Sequence, residues 1–442
     1  MNNAEPIAVF WFRRDLRLDD NAAFLSALTS GFKVLPIFIF DDSILTELSQ
    51  EDKRINYIFQ AIDSLNQQLI PFDSRIVVFK GIPKQVFEHL ISLYNVSKVF
   101  ANHDYEPYAV KRDQEIGIIL NAKGIKFLTY KDQVIFEKSE ILKSDGEPYT
   151  VFTPYSKSWL GKLSTDKSVL NTYKSEDYLF NLIKRDAKPA LSIKEIGFTE
   201  SPGIFQPFDI YSSDLESYEV TRNYPALNST SRASVHLRFG TVSIRKLVAF
   251  ALDVNKVWLN ELIWREFFMQ ILWNFPHVTE HPFKSKYRFI NWRNSDNDFY
   301  AWCNGQTGYK LVDAGMRELN ATGFMHNRVR MVTASFLVKH LLVNWQWGEA
   351  YFAEKLLDFE LSSNNGNWQW VAGTGCDAAP YFRIFNPTAQ AEKFDNENIY
   401  IKKWVPEYNS SSYVKPIVDH NFARNRCLEV FKAGLQASFN NN

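Results

Sequence analysis

Cysteine is scarce in this chain of 442 residues: Cys303, Cys376 and Cys427 are odd in number, far apart and form no CxxC pair. Neither a disulfide framework nor a metal site is expected, and a reducing, cytoplasmic setting fits. No run of about 18 apolar residues occurs, so no segment is expected to cross a membrane. The N-terminus MNNAEPIAVFWFRRD lacks the positively charged start and long apolar run of a signal peptide. Charge of one sign is not in excess either, with Lys+Arg and Asp+Glu both at 50. That excludes a surface coated in positive charge, though not a local basic groove. Between Tyr218 and Trp404 there are 21 Lys+Arg against 17 Asp+Glu. This mild excess has the sign that a polyanion site would need. The GxGxxG fingerprint is absent, so no dinucleotide is expected at the first strand–helix turn.

Aromatic residues are abundant, with 36 Phe and 12 Trp. Composition alone favours a large aromatic-rich core over stacking surfaces for bases or a cofactor. The length calls for two domains. Residues 1–130 alternate short apolar runs with amphipathic segments. Ile7–Phe12, Lys33–Phe40, Arg75–Phe79, Lys98–Ala101 and Lys126–Thr129 read as buried strands. Ala22–Leu28, Asp52–Leu69, Lys84–Tyr94 and Ala109–Asn121 read as helices between them. This α/β pattern predicts a doubly wound, Rossmann-like parallel sheet. Residues 131–204 have poor periodicity and read as a connector. Residues 205–436 are helical, clearest at Leu259–Leu272, Tyr309–Leu319, Arg328–Leu342 and Ala350–Leu361. Asp358 and Glu360 are expected on a later helix.

Four segments carry candidate chemistry. Thr230, Ser231, Arg232 and Ser234 open a helix with hydroxyls, backbone N–H groups and a guanidinium, which suits an anion or simply caps the helix. Glu261, Trp264 and Arg265 share one helix face, so a carboxyl group lies beside an indole. Asn327 and Met331 share a face of another helix, where His326 reads as a structural histidine. Asn364-Asn365-Gly366-Asn367-Trp368-Gln369-Trp370 offers flat surfaces and neutral hydrogen-bonding groups to a large aromatic ligand.

These segments, together with Val9–Asn21 and Asp377–Pro387, resemble the photolyase/cryptochrome family over nearly the whole chain, and within it the class I cyclobutane pyrimidine dimer photolyases. The resemblance implies a residues 1–130 antenna domain and a residues 205–436 catalytic domain that binds FAD. It implies that Tyr218, Thr230, Ser231, Arg232 and Ser234 contact the cofactor. Trp258, Glu261 and Arg265 would lie on the flavin side, Arg330 would pair with Asp358 beside the ring, and Asn364 would face flavin N5. Glu360 stands at a cofactor-binding position on the adenosine side, where relatives often have Asp. Glu261 would hydrogen-bond a damaged pyrimidine pair, with Trp264 and Trp370 stacking against it and Asn327, Arg328 and Met331 completing the DNA side. Trp368, Trp345 and Trp292 match a tryptophan chain that relays electrons from the surface to the flavin. Glu106 matches an antenna contact, for 5,10-methenyltetrahydrofolate or a deazaflavin or flavin. The implied activity is blue-light-driven splitting of cyclobutane pyrimidine dimers in DNA by a monomer. A cryptochrome-type photoreceptor and a (6-4) photolyase are the alternatives. Asn327 and Met331 weigh against the latter, which has histidines at both positions, and Asn364 favours repair over signalling.

Overall fold

In the computed structural model, residues 5–185, 191–209 and 215–440 are described. Five strands form one parallel sheet: β1 (Ile7–Phe12), β2 (Lys33–Asp41), β3 (Val77–Gly81), β4 (Val96–Asn102) and β5 (Lys126–Tyr130). Their order is β3-β2-β1-β4-β5, as expected for a doubly wound sheet. The alternation of side chains along β1 separates two cores. Ala8, Phe10 and Phe12 face one cluster, with Leu28 and Leu65 from the helices Ala22–Leu28 and Lys53–Leu69. Ile7, Val9 and Trp11 face the other, with Leu90 and Leu120 from Pro83–Leu93 and Pro107–Ala122. The helices expected from periodicity are present. Asp52 and Asn21 act as N-caps, each accepting a backbone N–H into its side chain.

The charged loop after β1 is built into this unit. Asn102 donates to Asp15 Oδ2 at 2.6 Å and to Asn21 Oδ1 at 2.8 Å. Arg17 pairs with buried Asp132 at 2.6 Å. Gly240 ends the helix Ala233–Phe239 in the left-handed region, at φ +65. A Cβ there would stand 2.1 Å from Arg14 O, so only glycine fits.

The packing units are drawn differently from the expected boundaries at 130 and 204. One unit comprises residues 1–140, 159–210 and 232–253, and the other 141–158, 211–231 and 254–442. The connector is therefore shared, and within it lies a helix, Phe152–Thr165, that periodicity did not reveal. The second unit is built from helices, chiefly Lys256–Asn274, Lys310–Thr322, Asn327–Ser335, Trp345–Lys355, Leu361–Ala372 and His420–Asn440. Its core gathers Trp302, Met316, Phe336, Trp345, Trp368 and Ile401.

Two helices end earlier than periodicity implied. The one expected to run to Leu342 becomes a wide π-turn at Phe336–His340, and Leu342 then adopts φ +52. The one expected over Ala350–Leu361 stops at Lys355, where Leu356 is extended and Leu357 N–H donates to Gly323 O at 2.9 Å. Asp358 and Glu360 therefore lie on a link between helices, not on a helix. Apolar residues at Leu356, Leu357 and Phe359 mimic helical periodicity there, but tertiary hydrogen bonding takes the backbone out of the helix.

Candidate functional site

The helical unit assembles most of the expected residues around three helices. Lys256–Asn274 packs against Leu361–Ala372, where Gly366 admits Phe268: a Cβ on Gly366 would meet the Phe268 ring at 2.1 Å. Arg265 reaches Glu360 at 3.1 Å, tying the first helix to the start of the second. Glu360 also accepts from Ser363 Oγ at 3.0 Å and is buried. The extra methylene relative to Asp is thus absorbed by an ion pair inside the protein.

Arg330 and Asp358 meet as expected, through two hydrogen bonds of 3.1 and 2.8 Å. The Asp358 side chain is 4% exposed, so its charge depends on this fork. Arg330 Nε also donates to Met325 O at 2.7 Å, which fixes the guanidinium plane. The extended link that ended the preceding helix is what lets Asp358 reach across.

Asn364 is buried, and its amide donates to Glu349 O at 3.0 Å. Its Oδ1 has no protein partner among the described residues, so it is an acceptor held ready for an N–H. Ser229 and Ser362 each bury a hydroxyl without a protein partner among the described residues. Trp258 Nε1 donates to Ser231 Oγ at 3.2 Å, bringing the tryptophan to the hydroxyl run. Thr230 and Ser231 belong to this unit, and Arg232 and Ser234 to the sheet unit. Arg232 sits at the N-cap of Ala233–Phe239 at φ +50 and is exposed, as is Ser234.

Glu261 has a partner that sequence reading missed. Arg222 forms an ion pair with it at 2.6 Å and lies over the Tyr218 ring at 5.4 Å. Burial raises the Glu261 pKa, and Arg222 only partly offsets this. Burial, and then the Glu261 charge, push Tyr218 up to about 12. The spacing of Arg222 four residues after Tyr218 was the available signal.

Trp264, three residues on, is half-buried and caged by rings. Phe152 lies flat on it at 3.7 Å between centroids and 6° between planes. Phe267 meets it edge-on at 5.5 Å. Trp370 is also half-buried, Met331 is half-buried, and Asn327 is exposed at its helix N-terminus. Beside them Arg328 donates to Asn223 Oδ1 at 2.6 Å and lies over Phe394 at 4.4 Å. Its pKa is lowered by burial and then by the charges of Arg222 and Arg383. A half-buried cation among other cations suits a phosphate. His326 caps its helix through Nδ1, as a structural histidine would.

Of the three relay candidates, Trp368 and Trp345 are buried and Trp292 is half-exposed. Trp292 meets Phe431 edge-on at 5.7 Å. The ring neighbours of Trp368 are Phe352 at 5.0 Å and Trp302 at 6.2 Å. Trp302, which sequence reading did not single out, is fully buried. In the sheet unit, Glu106 is held by Arg14 at 2.9 Å and Arg238 at 3.2 Å. Nearby Asp104 would be raised by burial, but Arg14 and its neighbouring arginines hold it down at about 2.

Comparison with known proteins agrees with this geometry. Residues 8–171 match a family described as DNA photolyase, and residues 258–412 match the FAD binding domain of DNA photolyase. The deoxyribodipyrimidine photo-lyase of Escherichia coli K12 is 35% identical, over 96% of this chain and 98% of its own. That of Synechococcus is 33% identical, over 95% and 94%. A bacterial class III photolyase from Agrobacterium tumefaciens has a similar structure, with a TM-score of 0.86 at 30% identity over 99% of both chains. An archaeal photolyase from Sulfolobus tokodaii, described with two FAD molecules, gives 0.80 at 31% identity over 97% and 100%. A sheet unit and a helical unit of this design, matched along their length by such relatives, place the chain in the photolyase/cryptochrome family.

Proposed function

We propose that this protein is a deoxyribodipyrimidine photo-lyase, using FAD and blue light to split cyclobutane pyrimidine dimers in DNA. The observation that carries the reading is the pairing, on one helix face, of a carboxyl group of raised pKa with a half-exposed, ring-caged indole. The Arg330–Asp358 fork and the acceptor of Asn364 lie on the adjoining elements.

The residues present fit FAD. The Asn364 Oδ1 suits a ring N–H, Arg330 with Asp358 suits a polar ring edge, and the hydroxyls of Thr230 and Ser231 suit a pyrophosphate. When bound, FAD supplies an electron to the lesion on excitation by light. The chain does the rest. Trp264 and Trp370 receive the flipped bases by stacking, and flipping is least costly for a lesion already poorly paired. Glu261, on the same helix face as Trp264, presents its carboxyl group for a hydrogen bond to a flipped pyrimidine. Met331 fills space against a bulky lesion, and Arg328 with Asn327 engages the strand. Trp292, Trp345 and Trp368 pass electrons inward from the surface. Residues 1–130 are proposed as the antenna half, with Glu106 near a second chromophore of folate, deazaflavin or flavin type, and residues 205–436 as the catalytic half. A monomer acting in the cytoplasm accords with scattered free cysteines.

The test is repair of a thymine-dimer oligonucleotide by the purified protein loaded with reduced FAD, in the dark and under blue light. Light-dependent recovery of thymine is expected. A protein that holds FAD and photoreduces but restores no thymine would overturn the reading.

A further inference from the structure

The segment 141–158 reads as connector in the sequence, yet it places an aromatic ring against the proposed lesion platform. Phe152 is parallel to Trp264, at 6° and 3.7 Å, closer than the usual spacing of aromatic pairs. The placement is anchored. Phe152 N–H donates to Asp377 Oδ2 at 3.0 Å, and Gln270 Nε2 donates to Tyr149 O at 2.8 Å. Tyr155, one turn on, is buried and meets Phe267 at 5.2 Å, while Phe152 meets Phe267 edge-on at 5.8 Å. A planar ring has two faces. With Phe152 on one, a pyrimidine can stack only on the other, and Trp264 cannot tilt towards the covered side.

We propose that Phe152 is a positioning residue for DNA-lesion recognition: it holds the Trp264 plane in the attitude that receives a flipped pyrimidine. The inference rests on the photolyase reading given above. A ring of the right size matters, because an aliphatic side chain fills the space but lets the indole rock. Stacking loses strength steeply when planes tilt and gaps open.

The test uses the FAD-loaded full chain and the variants Phe152→Leu, Phe152→Tyr and Asp377→Ala. Binding is measured to a thymine-dimer oligonucleotide and to its undamaged counterpart, with KM and kcat for repair under saturating light. Phe152→Leu should weaken dimer binding and raise KM by about tenfold. Undamaged DNA affinity, FAD content and light-driven FAD reduction should change less than twofold. Phe152→Tyr, which keeps the ring, should restore wild-type selectivity, and Asp377→Ala, which removes the acceptor for the Phe152 N–H, should fall between. A merely structural role would lower stability without changing the ratio of dimer to undamaged affinity. If wild type discriminates and folded, FAD-loaded Phe152→Leu discriminates equally well, the proposal is overturned while the photolyase reading stands. If Phe152→Leu does not fold, Asp377→Ala with wild-type selectivity overturns it. If wild type itself neither discriminates nor repairs, both fall.

Discussion

At the scale of single residues, the site is held by pairs whose members cannot be separated cheaply. Asp358 is the sharpest case, since its nearly buried carboxylate is satisfied by one guanidinium. Asp358→Asn keeps the volume and removes the charge, leaving Arg330 without its partner. A loss of about 2–3 kcal/mol in denaturant unfolding is expected, with lower FAD retention after gel filtration. Unchanged stability and occupancy would mean that the fork is incidental. The identity of these residues was legible in the sequence, but the arrangement was only partly so. Glu360 is an internal ion-pair partner of Arg265, and Arg222 was missed although it neutralises Glu261. Partners such as these come from other elements, and no periodicity announces them.

At the scale of elements, close approaches and irregular turns matter most. Trp345–Lys355 lies against Leu361–Ala372 because Gly348 has no side chain: a Cβ there would meet the Trp368 ring at 2.1 Å and Leu337 at 2.6 Å. Gly348→Ala should cost about 1–3 kcal/mol by overpacking and slow light-driven FAD reduction by displacing Trp368, measured by thermal unfolding and transient absorption. The π-turn Phe336–His340 packs against the helix His420–Asn440, and His340 lies 2.9 Å from His420 Nδ1. Burial, followed by the charges of His420 and Arg426, lowers the His340 pKa from 6.5 to about 3. The unfolded chain takes up a proton below pH 6.5 that the folded chain refuses until about pH 3. This contribution to stability is therefore complete above pH 6.5 and is lost progressively as pH falls through that window. His326, lowered to about 4, acts with the same sign. His340→Phe should flatten part of the acid-side fall, so the gap between wild type and variant narrows from pH 7.5 to pH 5 in urea titrations. A constant gap would refute the assignment. Helix periodicity overran the ends of such elements: the chain widens into a π-turn at Phe336, and at Leu356 the tertiary hydrogen bond from Leu357 to Gly323 takes it out of the helix.

At the scale of the whole molecule, zero net charge coexists with a local excess of arginine at Arg222, Arg328 and Arg383. DNA binding should therefore weaken linearly on a log–log salt plot, by about 0.9 in slope for each phosphate engaged. Arg328→Ala should reduce that slope by about 1 and weaken damaged and undamaged DNA alike. An unchanged slope would remove Arg328 from the DNA surface. The sequence alone determined the order of the five strands and of the helices between them, because alternation and helical periodicity are local properties of the chain. It also determined the residue types of the site, through segments such as Asn364–Trp370. Tertiary structure decided which side chains meet: Phe152 on Trp264, Arg222 on Glu261, Trp302 beside Trp368. Those contacts join segments distant in sequence, and only packing of the helices brings them within reach.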